Sequence, residues 1–382
     1  MPISPILYLV SAAHFFNDIY MGFLTPLFPI AVEKFGLSLS MIGVVSMVAA
    51  MASALSQPVF GTLFDRFGVT SSVYLAPLLT GILISSLGVA SSYGGFLVLL
   101  FLGCLGSAAF HPKGASVTPA LSGKHPEIGM AVFSAGGNLG FAAGPAVIAF
   151  FISLWGFRAT PVLALPAAAV ALALFLLLPA REIERKTRSQ ERVTWRSLLS
   201  DPEQRTILAR LVFINFALQV AVRGLQTFLP IYMTGLSVPI TEIGVIFTVM
   251  LALGAVMSIF VSSFSRRTGK RFLIFLSITA SVPLCLAGFL LMPSVWGYAL
   301  SILGGIALTF SNPLLILFAQ KHSGGSPAMA SSLIMGISWG LAGLLMVPLG
   351  GLGELVGVKA TLAAVSAFPL VSAVSCLRVP RE

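Results

Sequence analysis

The chain has 382 residues, of which 57% are hydrophobic and only 9% are charged, and its net charge is +10. Its mean hydropathy is +1.00. A water-soluble protein of this length needs a much larger share of charged surface. The composition therefore excludes an ordinary soluble protein and favours a chain that lies in a lipid bilayer.

Apolar stretches long enough to cross a bilayer follow one another from the N-terminus to the C-terminus. A transmembrane helix needs roughly 20 mostly apolar residues, and about twelve segments meet that length. Short polar segments separate them, among them 33–40, 65–71 and 266–271. The sequence therefore predicts an all-α polytopic membrane protein with twelve transmembrane helices.

The basic residues are distributed unevenly between the two sides of the predicted bundle. If the N-terminus is cytoplasmic, sixteen of the 22 Lys and Arg residues lie in inner loops or at the C-terminus. The outer loops hold three, Lys34, Arg158 and Lys359. Positive charge concentrates on the cytoplasmic side of membrane proteins. We therefore expect both termini in the cytoplasm, and we attribute the basic charge to membrane orientation and not to nucleic-acid binding.

Neither end of the chain nor its cysteines indicate secretion or a metal centre. No basic segment with a small-residue cleavage site precedes the first helix, so no cleavable signal peptide is predicted. Cys104, Cys285 and Cys376 fall in different apolar segments. Their spacing fits neither a metal site nor a disulfide framework, and we expect packing residues.

An internal repeat divides the chain in two. An offset of 201 residues aligns landmarks of both halves without a gap, for example Gly68 with Gly269 and Phe110-His111-Pro112 with Ser311-Asn312-Pro313. The hydrophilic stretch 181–205 lies between the halves. We therefore predict two pseudo-symmetric six-helix bundles, 1–180 and 206–382, joined by a basic cytoplasmic linker, 181–205. Parallel repeats of this kind occur in transporters that work by alternating access.

Polar side chains occupy the middle of helices 1 and 7, where hydrocarbon makes them costly unless they face protein or a wet cavity. Helix 1 carries His14, Asn17 and Asp18, and one face of helix 7 carries Asn215, Gln219, Arg223 and Gln226. With the 201-residue offset, Asn215 aligns with His14 and Gln219 with Asp18. We predict that these residues line a central site. The alternative is that they satisfy one another in helix packing, or that Asp18 and Arg223 pair in one state and separate in the other.

Helices 4, 5 and 10 add further polar groups at comparable depth. Helix 4 carries His111 and Lys113 around a proline, and helix 10 carries Asn312 at the equivalent position of the repeat. We expect these three residues and Asn138 of helix 5 to contact substrate. Lys113 could instead reach the cytoplasmic interface, and Asn138 could serve packing alone.

Two short motifs carry a resemblance to a known family. The first is Gly61, Asp65, Arg66 and Gly68 in the turn between helices 2 and 3, which we interpret as a conformational latch, although Asp65 could simply be a solvated loop charge. The second is the helix-packing motif Gly140, Gly144 and Pro145 in helix 5. Both look like signatures of the major facilitator superfamily. His14-Phe15-Phe16-Asn17-Asp18, Phe110-His111-Pro112 and Gly136-Gly137-Asn138-Leu139-Gly140 resemble its fosmidomycin-resistance-type efflux transporters. The resemblance implies the twelve-helix fold of that superfamily and export of a small compound.

The residues add a charge preference to this resemblance. Lys113 and Arg223 outnumber the single mid-helix carboxylate, Asp18, so the site favours an anionic or zwitterionic small molecule. Asp18, His14 and His111 are the candidates for proton coupling. We predict a monomeric, proton-coupled antiporter of a bacterial or archaeal inner membrane, without cofactor or metal. The alternative is uptake or exchange of an organic anion without protons. An enzyme is not expected, because the sequence contains no nucleophile elbow, metal-ligand spacing or phosphate loop.

Overall fold

A computed structural model describes residues 4–67, 69–179, 201–323 and 327–380. All regular secondary structure within these ranges is helical. Among the described residues, twelve helices are long and apolar enough to cross a membrane. We number them in chain order: α1 Pro5–Phe35, α2 Leu39–Phe64, α3 Ser72–Val89, α4 Tyr93–Leu121, α5 Pro126–Trp155, α6 Phe157–Leu177, α7 Pro202–Gly235, α8 Ile240–Val261, α9 Lys270–Leu290, α10 Val295–Lys321, α11 Met329–Val356 and α12 Val358–Leu377. The predicted all-α fold with twelve spans is confirmed.

In three of these helices, α1, α2 and α10, a proline explains the place of an interruption. The first segment of α1 ends at Gly22, that of α10 ends at Thr309, and α2 widens into a π-turn at Met51–Leu55. Each position lies at, or spans, the fourth residue before a proline: Pro26, Pro313 and Pro58, respectively. A proline ring clashes with the carbonyl four residues earlier and leaves it without its helical donor. The helices resume at Leu24, Asn312 and Gln57.

The described residues form two compact units. The first, here the N unit, contains Met1–Pro26 and Leu55–Glu191, and the second, the C unit, contains Leu27–Ala54 and Arg192–Glu382. The last part of α1, from Leu27, and the first part of α2, up to Ala54, therefore group with the C unit. The greater part of the predicted linker, 181–200, lies outside the described residues. The proposed domain limits stay predictions.

In the N unit, α5 packs along the first segment of α1 through a row of glycines. Their i, i+4 spacing places them on one helix face. A methyl group at Gly136, Gly140 or Gly144 would overlap the backbone carbonyl oxygens of Ser11, Phe15 and Ile19, respectively. The two backbones are thus as close as small residues permit, which is how helices associate tightly in a membrane.

In the C unit, α11 packs in a similar manner against the first segment of α2, Leu39–Ala50. A methyl group at Gly350 would overlap the carbonyl oxygen of Leu39, and one at Gly43 would overlap that of Met346. A buried hydrogen bond of 2.9 Å from Thr227 Oγ1 of α7 to Ser46 Oγ of α2 adds a polar link.

The internal repeat appears directly in the hydrogen bonds. In the N unit, His14 Nδ1 lies 2.8 Å from the carbonyl oxygen of Phe133. In the C unit, Asn215 Nδ2 donates to the carbonyl oxygen of Ile334 at 2.7 Å. Both partners of the second bond lie 201 positions after those of the first. The α1–α5 and α7–α11 contacts are thus built in the same way.

Candidate functional site

Three ionisable side chains meet inside the N unit. His14 and Asp18 lie one turn apart on α1, so they share a helix face. His111 comes from α4, which continues as a helix through Pro112. His14 Nε2 lies 3.3 Å from Asp18 Oδ2, and His111 Nε2 lies 3.3 Å from Asp18 Oδ1. We call His14, Asp18 and His111 the Asp18 cluster.

Neighbouring groups hold the carboxylate and both rings in place. Asn17 Nδ2 donates to Asp18 Oδ1 at 2.8 Å and to Ser107 Oγ at 3.0 Å. The ring of Phe133 stacks on His14 with centroids 4.1 Å apart. The exposed side-chain fractions are 9% for His14, 16% for Asp18 and 28% for His111. The cluster is therefore largely shielded, and His111 is its most accessible member.

The backbone fixes the hydrogen on one nitrogen of each imidazole. His14 Nδ1 faces the carbonyl oxygen of Phe133, and His111 Nδ1 faces that of Ser107, each at 2.8 Å. A carbonyl oxygen can only accept a hydrogen bond, so both Nδ1 atoms carry hydrogen. A proton on either Nε2 therefore makes that ring an imidazolium.

This constraint determines what the cluster can do chemically. With an ionised carboxylate and two neutral rings, lone pairs face one another in both His–Asp contacts. One added proton turns one contact into a hydrogen bond and neutralises the cluster, and a second gives it a net positive charge. The cluster thus offers two places for protons between three fixed side chains. In a shielded site such changes of charge have large electrostatic effects.

The same atoms could also surround a cation. One ligand atom from each of His14, Asp18 and His111 lies within 4.8 Å of the others. A divalent ion and the coupling protons would use the same Nε2 and carboxylate lone pairs. Protons alone would also complete both His–Asp contacts, so the geometry of the cluster admits either a proton or a metal ion.

The other predicted residues of the N unit lie around this cluster or along its helices. Lys113 is 4% exposed on α4, and Asn138 is exposed on α5. Gly61 lies in the last part of α2, with Pro112 beside it. The side chains of Asp65 and Arg66, and all of Gly68, lie outside the described residues. Their role as a latch stays a prediction.

The two glycines of the helix-packing motif lie on the face of α5 that packs against α1. Gly140 and Gly144 belong to the glycine row against α1, and both are buried. Pro145 lies inside the continuous helix Pro126–Trp155. The motif thus positions α5, whose Phe133 carbonyl receives His14.

The predicted residues of the C unit follow one face of α7 and the break in α10. Asn215, Gln219 and Gln226 are 1%, 6% and 9% exposed, and Arg223 is half-buried. Gln226 also lines a small, partly open cleft between α7, α8 and α10. Asn312 is the first residue of the second segment of α10.

Sequence reasoning missed the groups that orient the Asp18 cluster. Ser107 lies one turn before His111 and contributes both its hydroxyl and its carbonyl oxygen. The Phe133 contribution is a backbone carbonyl, which leaves no trace in the sequence. Ser107 could have been found, because its four-residue spacing places it on the face of His111.

Comparison with known proteins agrees with this architecture. A family model of the Major Facilitator Superfamily matches residues 10–347. The Fosmidomycin resistance protein of Escherichia coli (strain K12) is 25% identical over 349 residues, which cover 88% of this chain and 83% of that protein. The uncharacterized MFS-type transporter YfnC of Bacillus subtilis (strain 168) is 26% identical over 392 residues, which cover 98% and 93%.

Solved structures share the fold at low sequence identity. A mutant of the nucleoside transporter NupG superposes with a TM-score of 0.81 at 16% identity, covering 98% of this chain and 99% of that one. A bacterial homolog of the human lysosomal transporter Spinster, in an inward-facing and occupied conformation, gives a TM-score of 0.74 at 15% identity, covering 98% and 96%. At these identities the likeness concerns the fold alone.

Proposed function

Because the chain belongs to the Major Facilitator Superfamily, a family of multi-pass membrane transporters, we propose that it is a proton-coupled secondary transporter that exports a small anionic or zwitterionic compound. It works by alternating access, in which two repeat-related halves expose a central site to one side of the membrane at a time. In this proposal the protein resides in the inner membrane of a bacterial or archaeal cell and acts as a monomer.

The observation that carries the proton coupling is the fixed tautomer of both histidines in the Asp18 cluster. A coupling site must take up and release protons without losing its geometry. His14 and His111 are anchored through Nδ1 by backbone carbonyls, so a proton on Nε2 changes charge and not position. Proton transfer to the cluster then alters its attraction for an anion nearby.

Two observations support export of an anionic or zwitterionic compound. The E. coli relative carries resistance to fosmidomycin in its name, and resistance is a natural consequence of efflux. Lys113, a buried cation, lies two residues beyond His111 on α4. An anion gains Coulomb energy near such a charge where water is scarce.

The decisive experiment compares Asp18→Asn with wild type in proteoliposomes, with fosmidomycin as the first test compound. We expect the wild type to move the compound in response to a pH gradient, and Asp18→Asn to lose this response while it still catalyses exchange. His125→Gln is the matched control, since His125 lies in the loop before α5 with an exposed side chain. Full pH-driven transport by Asp18→Asn would contradict the assigned coupling site.

One alternative function also uses Lys113 as the cation that attracts substrate. Lys113 favours an anion whether or not protons move, so organic-anion uptake or exchange without proton coupling is the second candidate. It predicts counterflow in the wild type that persists unchanged when the pH gradient is collapsed, together with no effect of Asp18→Asn on net transport.

A further inference from the structure

The C unit contains an uncharged counterpart of the Asp18 cluster. Asn215, Gln219 and Asn312 lie 201 positions after His14, Asp18 and His111, respectively. Three amides thus replace two imidazoles and a carboxylate at the repeat-equivalent positions. Amides do not titrate in the physiological range, so this half cannot carry coupling protons at these positions, and its polar groups require another explanation.

The orientation of one amide is fixed by its partner. Asn215 Nδ2 donates to the carbonyl oxygen of Ile334, which can only accept, so the Asn215 amide cannot be turned around. Its carbonyl oxygen Oδ1 is then directed elsewhere, and it is buried without a hydrogen-bond donor among the described residues. In the N unit, the corresponding His14 Nε2 faces Asp18.

Asn312 carries a second buried carbonyl oxygen, Oδ1, that lacks a hydrogen-bond donor among the described residues. Gln219, one turn beyond Asn215, is 6% exposed. Buried carbonyl oxygens are almost always hydrogen-bonded, and an unpaired one is costly, so each exception calls for a reason. In the N unit, Asn17 Nδ2 donates to Asp18 Oδ1, while Asn17 Oδ1 is likewise buried without a donor among the described residues.

We propose that Asn215 and Asn312, assisted by Gln219, accept hydrogen bonds from an ammonium or hydroxyl group of the transported compound. This deepens the proposed function, on which it rests, because it selects zwitterions and hydroxylated anions over simple anions. Arg223 lies one turn beyond Gln219 and two turns beyond Asn215 on α7, which are rises of about 6 Å and about 12 Å. A compound whose anionic and donor groups lie about 6 to 12 Å apart matches this face.

The test uses two matched series of compounds and the purified full-length protein in detergent at one pH. The first series is 3-aminopropylphosphonate, 3-hydroxypropylphosphonate and butylphosphonate, which differ only in a terminal ammonium, hydroxyl or methyl group. The second is 4-aminobutyrate, 4-hydroxybutyrate and pentanoate. We expect donor-bearing members of at least one series to raise the apparent Tm by a few degrees at about 100 times their Kd, and the methyl members not to. Asn215→Leu and Asn312→Leu should abolish this difference.

A second measurement needs no ligand. Asn312→Leu removes an acceptor without a partner, so the apparent Tm of the unliganded protein should stay level or rise. Gln320→Leu, on the same helix, removes an amide that donates to Ser331 Oγ at 2.8 Å, so its apparent Tm should fall while the ligand preference remains. Three results would each overturn the proposal. The donor and methyl compounds could stabilise the protein equally, or neither donor series could stabilise it. The third is an apparent Tm loss in Asn312→Leu as large as that in Gln320→Leu. The assay contains no pH gradient. A negative result would therefore count against the amide site and would leave the proposed proton coupling untouched.

Discussion

Replacing His111 by Asn should reduce the number of protons that drive transport without removing coupling altogether. The Asp18 cluster has two His–Asp contacts, each 3.3 Å long, and His111 forms one of them. Asn is the natural choice because it occupies the repeat-equivalent position 312. Its Nδ2 is bonded to Cγ, as His Nδ1 is, so the variant keeps an N–H at that place. The variant therefore retains only the His14–Asp18 contact.

The expected magnitude follows from the energy of one proton per pH unit, about 1.4 kcal/mol or a factor of about ten in a concentration ratio. If both contacts are loaded in each cycle, one pH unit sustains a substrate ratio of about 100-fold in the wild type. In His111→Asn it should sustain about 10-fold. When the logarithm of the substrate concentration ratio is plotted against the pH difference, the slope should be about two in the wild type and about one in His111→Asn.

The assay is the substrate gradient at static head in proteoliposomes, with the membrane potential held at zero by potassium and valinomycin. The test compound is fosmidomycin or a compound identified by thermal shift. His125→Gln should keep the wild-type slope, because His125 lies outside the cluster. An unchanged slope in His111→Asn would refute the assignment of a coupling proton to the His111–Asp18 contact.

Two further predictions concern stability and are measured by apparent Tm in detergent. Gly140→Ala should destabilise the protein by about 1–3 kcal/mol, because the added methyl group overlaps the Phe15 carbonyl oxygen; Gly94→Ala, where the methyl group meets nothing within 4 Å, should have little effect. Ser46→Ala leaves the buried Thr227 hydroxyl without its partner and should cost about 1–3 kcal/mol; in the double variant Ser46→Ala/Thr227→Val much of this loss should be recovered, and a purely additive loss would contradict the argument.

The architecture could be predicted from the sequence because its main determinants are local. Twelve apolar segments give twelve helices regardless of how they pack, and the 201-residue offset is visible in the spacing of prolines and glycines. The helix interruptions were less predictable. Pro313 breaks α10 whereas its repeat equivalent Pro112 leaves α4 continuous. Whether a freed carbonyl is satisfied depends on neighbouring helices and water, which the sequence does not specify.

The members of the Asp18 cluster were predicted one by one, but their arrangement was not. His14 and Asp18 are obvious neighbours on one helix, whereas the approach of His111 depends on how α1 and α4 pack. The groups that fix the proton positions are the carbonyl oxygens of Phe133 and Ser107. Every residue has a carbonyl, so no pattern of residue types can single these two out.

The repeat itself supplies a way to separate the structural role of His14 from its role in coupling. His14 Nδ1 and Asn215 Nδ2 are both bonded to Cγ, and both contact the carbonyl oxygen of the facing helix at nearly the same distance, 2.8 and 2.7 Å. His14→Asn should therefore keep the bond to Phe133 and the apparent Tm, yet lose the Nε2 position and lower the proton-driven slope. His14→Leu removes both functions, leaves the Phe133 carbonyl without its side-chain donor, and should lower the apparent Tm as well. If both variants lowered the Tm equally, the imidazole would be needed for packing, and the interchange of His and Asn between the two halves could not be explained by coupling.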